Sequence, residues 1–197
     1  IDEVTTKFDA VLRSLIIDVD TDPNSQGTAR RLAKMYINEL MAGRYDKPPA
    51  VTSFPNDGSS GTKPYNGMLV IRAELKSMCS HHHQAILGKA HVAYIPGTDG
   101  KVVGLSKLNR VVEHFARRGA IQEQLTVAIH NAIQAVAETE NVMVIIHSTH
   151  NCVSCRGVKH WGASMLTSEV SGVFADHSRT AKQEVLEMLK LNLQAYC

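Results

Sequence analysis

Aromatic side chains supply only 5% of the 197 residues, with a single tryptophan, so the core has to be built from aliphatic packing rather than stacked rings. The four cysteines, Cys79, Cys152, Cys155 and Cys197, are too few and too unevenly spaced for the disulfide framework of a small secreted domain. A chain of this length buries roughly two-thirds of its unfolded surface and needs no such framework. No apolar run approaches the roughly 20 residues of a membrane-spanning helix. The opening Ile1-Asp2-Glu3-Val4 lacks the basic-then-apolar profile of a secretory signal, and a cytoplasmic location is the expectation. Neither charge sign dominates. The 21 basic and 19 acidic side chains leave a net +2, which excludes the broad basic surface of a general nucleic-acid binder. At 44% hydrophobic and 20% charged, the composition also excludes disorder. Histidine is what the chain has in excess, with ten.

Hydrophobic spacing divides the chain into two parts. Val4, Phe8, Val11, Leu12, Leu15 and Ile16 form one helical stripe that stops near Asp18. After the Asp22-Pro23-Asn24 turn signal, Leu32, Ala33, Tyr36, Ile37 and Leu40 predict a second helix over 28–41, with Gly43 as its terminator. Residues 43–67 hold Pro48, Pro49, Pro55, Pro64 and the Asp57-Gly58-Ser59-Ser60-Gly61 run, and read as a long connection. The predicted organisation is a helical element and linker over 1–66 and a catalytic domain over 67–197. In that domain the spacing predicts strands at 68–76, 86–95, 142–149 and 164–174. It predicts helices from Ser106 as a cap, from about residue 120, and from Ser178 as a cap. The order β-β-α-α-β-β, with helices before and after it, is that of an α+β domain whose helices pack on one face of an antiparallel sheet.

Two clusters carry chemistry. Cys79-Ser80-His81-His82-His83 follows the first strand, and His150-Asn151-Cys152-Val153-Ser154-Cys155-Arg156-Gly157 follows the third. A thiolate and an imidazole three residues apart can reach one zinc from a tight turn, and two strand ends can converge in space. Cys79, His82 and Cys152 would leave a fourth position open for water, as in catalytic zinc sites. His81 and His150 are then acid/base candidates, since histidine titrates near neutrality. Spacing alone is equally compatible with a closed structural zinc on Cys79, His82, Cys152 and Cys155, and a redox Cys-x-x-Cys is a third reading.

Five blocks in register resemble GTP cyclohydrolase I. They are Cys79-Ser80-His81-His82, Gly88-Lys89-Ala90-His91-Val92-Ala93-Tyr94-Ile95-Pro96, Gly104-Leu105-Ser106-Lys107-Leu108-Asn109-Arg110, Gln122-Glu123-Gln124-Leu125-Thr126, and His150-Asn151-Cys152 with Arg156-Gly157. The Thr28–Tyr36 segment is similar to that family's N-terminal helical element. The resemblance implies a T-fold with a ββααββ core, assembled as a homo-oligomeric barrel, a decamer, with active sites between subunits. It implies conversion of GTP and water to 7,8-dihydroneopterin triphosphate and formate, a first step towards pterins and folates, with Zn2+ as cofactor. It implies Cys79, His82 and Cys152 as zinc ligands and His81 and His150 as proton-transfer residues. Glu123 with Gln122 would bind the guanine edge. Leu105, Ser106, Lys107, Arg110, Arg156, Arg31 and Lys34 would line the ribose and triphosphate.

These implied roles fit elementary chemistry. A carboxylate such as Glu123 accepts the paired N–H donors of guanine, which adenine lacks. A helix N-terminus and arginines favour phosphate. By themselves, Glu123, Arg31, Lys34 and Arg110 read as solvated charges and Ser106 as a helix cap. A non-catalytic T-fold protein with a closed zinc is the alternative from another class. The chain departs from the family pattern at Ser80, usually Glu, at Ala29, often Pro, and at Ser154, a Lys in bacterial members; Cys155 is an added thiol.

Overall fold

Apolar residues at every second position give the strands over 69–78 and 85–94 one main face for a core, and the unbroken apolar run 142–146 gives its strand two. The computed structural model describes residues 1–59, 61, 63–97 and 100–194, with side chains up to 190. Ser60, in the run read as a connection, and Cys197 lie outside the described residues. The chain separates into two units, Ile1–Lys47 and Pro48–Cys197, so residues 48–66 go with the second.

In the first unit, α1 (Asp2–Ser14) and α2 (Thr28–Met35) pack on buried Leu12, Ala29 and Ala33. The Phe8 and Tyr36 rings meet at 5.3 Å, and Arg30 Nη1 lies 2.8 Å from Asp2 Oδ1. The expected helix over 28–41 does not continue as an α-helix. It widens into a π-helical turn, Tyr36–Leu40, closed by the Met41 N–H on the Tyr36 carbonyl at 2.8 Å. Gly43 lies inside the short α3 (Ala42–Tyr45) rather than ending a helix.

The second unit is built on a four-stranded antiparallel sheet in the order β2-β3-β5-β6, from β2 (Leu69–Met78), β3 (Ala85–Tyr94), β5 (Val142–His150) and β6 (Ser164–Val170). On one face, α4 (Leu105–Ala116) and α5 (Gln122–Ala137) bury Leu75, Ile86, Val92, Val112, Ile129, Ile133 and Ile146. Each such side chain contributes about 1.5–3 kcal/mol. The expectation of helices on a single face holds for α4 and α5 only. A 3₁₀ turn (Gly172–Phe174) and α7 (Ala181–Gln194) place Phe174 and Val185 on Ala93, Met143 and Ile145, which point to the opposite face.

Three local differences from the sequence reading have physical causes. The connection contains β1 (Ser53–Pro55), which pairs with β4 (Lys101–Val103); a three-residue strand is specified by its partner, not by its own alternation. Helix α4 starts at Leu105 with Gly104 as cap, so Ser106 is already helical. Helix α7 starts at Ala181, and Ser178 instead donates to Asp176 Oδ1 at 2.7 Å within a turn. Among the described residues, no helix is long and apolar enough to cross a membrane.

Register fixes which strand ends meet. Ser77, Ile86 and His150 lie in one row across β2, β3 and β5, and Leu69, Tyr94 and Val142 lie in another at the far end. At a strand rise of about 3.3 Å per residue, the eight residue steps from one row to the other span roughly 26 Å. Gly88 allows the close approach of β3 and β5 near the first row: a Cβ there would sit 2.1 Å from the His147 carbonyl oxygen.

Candidate active site

The turn after β2 and the short α6 (Asn151–Ser154) after β5 stand at the same end of the sheet, because both follow the Ser77–Ile86–His150 row. The Cys79 N–H donates to Gln84 O at 2.9 Å and the His83 N–H to Cys79 O at 2.9 Å, so residues 79–84 close tightly, with His83 at φ +51°. Cys79 is buried, and Ala120 donates to Met78 O at 3.1 Å, which ties this turn to the entry of α5. The Cys79 and Cys152 side chains are near enough for each to bear on the other's ionisation, and both thiols are free of disulfides. Burial pushes the Cys152 thiol up, and the neighbouring Cys79 adds to the rise while Arg156 opposes it. Two thiolates side by side repel each other; a divalent cation between them removes that repulsion.

His81 and His82 are exposed on the turn, with ring centroids 6.4 Å apart and edge-on. Among the described residues, no three His, Cys, Asp or Glu side chains already form a metal cage. The donor set nevertheless fits zinc. Two neighbouring thiols and an imidazole three residues beyond the first are borderline-soft S, S, N ligands on one short turn and one short helix. Cys155 is exposed, and its sulfur lies 3.7 Å from Ser154 Oγ.

His150 is half-buried at the end of β5. Burial lowers its pKa, and the Glu123 carboxylate opposes that shift. Glu123 itself is exposed in the first turn of α5, where the helix dipole favours a carboxylate. Gln122 faces inward. Its side chain is fully buried and turned into the domain, with its nitrogen on Ile146 O, Met165 O and Thr167 Oγ1 and its oxygen on Ser148 and His150. No polar atom of that amide remains for a guanine edge. Ser148 and Thr167 are the residues that sequence reasoning missed. The signal was the Ser-x-His alternation at the end of β5, which puts Ser148 and His150 on one face of the strand.

The start of α4 carries four of the remaining candidates. Val103 donates to the Tyr94 hydroxyl at 2.9 Å, which anchors the start of α4 at the far end of the sheet. Exposed Leu105, Ser106 and Arg110, and half-buried Lys107, therefore lie in the half of α4 away from the cysteine row; at about 1.5 Å per residue, Leu105 is about 17 Å along the helix from Ala116. Ser77 Oγ on Ala116 O at 2.7 Å fixes the other end of α4 near the cysteines, so the direction of the helix is unambiguous. Arg31 and Lys34 belong to the first unit and are exposed; Arg31 donates to Asn24 O, Gln26 O and Thr28 Oγ1 of its own turn. Arg156 is exposed beside Cys152.

Residues 6–190 match the model of the family described as GTP cyclohydrolase I. The GTP cyclohydrolase 1 of Flavobacterium johnsoniae is 38% identical over 196 residues, covering 98% of this chain and 83% of that protein. The Haemophilus ducreyi enzyme of the same name is 40% identical over 182 residues (92% and 80%), and that of Streptomyces griseus 37% over 188 (93% and 90%). Among solved structures, an apo archaeosine synthase QueF-Like chain is 20% identical, with a TM-score of 0.42 over 56% of this chain and 97% of its own. A match that spans nearly the whole chain, over residues whose geometry gathers two thiols, a histidine and a carboxylate at one sheet end, shows that the chain belongs to the GTP cyclohydrolase I family of enzymes.

Proposed function

We propose that the protein hydrolyses and rearranges GTP to 7,8-dihydroneopterin triphosphate with release of formate, with one zinc ion held by Cys79, His82 and Cys152. The observation that carries this reading is the meeting of the Cys79 and Cys152 thiols beside His150 and Glu123. When bound, zinc supplies Lewis-acid activation of water. The chain's own residues do the rest. Glu123 accepts the N1–H and 2-amino donors of guanine, and its exposure at a helix start leaves both oxygens available to a ligand. His150, whose proton affinity is lowered by burial, and His81 on the facing turn move protons as the C8–N bonds of the purine break and C8 leaves as formate.

The triphosphate contacts come from another copy. Ser106, Lys107 and Arg110 in the first turn of α4 offer backbone N–H groups, the helix dipole and two cations to phosphate oxygens, but they start at the far end of the sheet from Cys152. A homo-oligomeric T-fold barrel with sites between subunits brings the two ends together. The unpaired edges of β2 and β6 in the four-stranded sheet support such an assembly, since each is a template for a further strand. Arg156 beside the thiols adds further positive charge for the same ligand.

The test is incubation of zinc-loaded protein with GTP, with formate and the fluorescent oxidised pterin both quantified. Stoichiometric formation of the two products is expected, and Cys152→Ala or His81→Ala abolishes both. Zinc-loaded wild-type protein that releases no formate overturns the reading.

A further inference from the structure

The contacts around Gln122 fix which way its amide faces and which nitrogen of His150 carries a proton. Gln122 Nε2 lies 3.1 Å from Ile146 O, 3.2 Å from Met165 O and 3.0 Å from Thr167 Oγ1. Backbone carbonyls only accept, so the amide nitrogen must be on that side and Oε1 must face Ser148 and His150. Thr126 Oγ1 donates its one proton to Gln122 O at 2.8 Å. In the 2.7 Å contact between the two hydroxyls, Thr167 is therefore the donor to Thr126, and its own oxygen accepts from Gln122. At the other end, Oε1 accepts from Ser148 Oγ at 2.6 Å and from His150 Nε2 at 2.7 Å. Neutral imidazole has one N–H, and this contact assigns it to Nε2.

We propose that Gln122 is a positioning residue for catalysis: it grips the His150 ring by Nε2, holds it in the Nε2–H tautomer and so fixes the orientation in which His150 meets the substrate. The inference rests on the reading of His150 as a proton-transfer residue in GTP hydrolysis. The network is built for rigidity. Gln122 is fully buried, Thr126 and Ser148 are each 2% exposed, and the network ties together α5, β5 and β6. A glutamine that only filled the core would be replaced by methionine at little catalytic cost. One that fixes a tautomer would not, because the ring would then populate both tautomers and rotate.

The test combines a spectroscopic and a kinetic readout. In zinc-loaded wild-type protein with 13C,15N-labelled histidine, the His150 resonances, assigned by their loss in His150→Ala, are expected to report the Nε2–H tautomer. In Gln122→Met they are expected to report a mixture. The same substitution is expected to lower kcat about 10–100-fold. KM for GTP should stay within about threefold, since no substrate contact is removed. A wild-type His150 protonated at Nδ1 overturns the proposal, and this holds even if Gln122→Met fails to fold. Loss of formate release in His150→Ala together with wild-type kcat in Gln122→Met overturns the positioning role while leaving the catalytic reading of His150 intact. Undiminished formate release in His150→Ala overturns both.

Discussion

Cys152 and Cys155 lie three positions apart on the chain yet in different surroundings. Cys152 lies beside buried Cys79, which raises its pKa, whereas Cys155 is exposed with Ser154 Oγ at 3.7 Å. A zinc held by Cys79, His82 and Cys152 therefore does not depend on Cys155. Cys155→Ala is expected to retain about one zinc per chain by atomic absorption, while Cys79→Ala loses it. Release of zinc by Cys155→Ala would instead support the closed Cys3His site. That the Cys79 and Cys152 segments follow strand ends was legible, because hydrophobic alternation is a local property of the sequence. Gln122 was not, because its neighbour Glu123 carries the opposite fate. Successive helical residues point about 100° apart, so at the start of α5 one side chain enters the core and the next meets solvent.

At the scale of elements, the sheet has two unlike faces. Beneath α4 and α5 the face is aliphatic, and the alternation in Ile86, Ala90, Val92 and Tyr94 made it legible. The other face carries Arg72, Lys89, His91 and His147 in adjacent positions, with Glu74 3.2 Å from Lys89. His91 Nδ1 is buried there without a hydrogen-bond partner. Burial lowers its pKa, and the charges of Arg72, His147 and Lys89 lower it further. The folded state thus resists a proton that the unfolded chain takes up near pH 6.5. The stabilisation is fully present above that pH and is lost as pH falls below it. Urea denaturation at pH 8 and pH 5 is expected to show a smaller pH-dependent loss in His91→Asn than in wild type; equal losses would exclude His91 as a cause. The elements that were not legible are β1 and β4, which are strands through each other. The π-helical turn at Tyr36–Leu40 was equally hidden, because its residues keep an apolar spacing compatible with an α-helix.

At the scale of the whole molecule, the central question is how one ligand can touch both ends of a sheet. Leu105 lies about 17 Å along α4 from Ala116, whose carbonyl oxygen meets Ser77 beside the cysteine row, so the first turn of α4 and the cysteine row stand at opposite ends of one helix. The exposed loop after α6 carries Val158 and Trp161, 81% and 77% exposed, close in sequence to Cys152 and Arg156. Apolar exposure beside charged ligand residues suits a surface that another copy covers. A site shared between copies makes a prediction that a site within one chain does not. Cys152→Ala removes one half of the site and leaves the α4 half intact; Arg110→Ala does the reverse. Each variant alone is inactive or nearly so. In oligomers formed by random mixing in equal amounts, about a quarter of the shared sites would pair two wild-type halves, and formate release should recover towards that fraction. Co-expression with two affinity tags isolates the mixed oligomers for the assay. Mixed oligomers that stay as inactive as their parents would place both halves in one chain and sink the shared site.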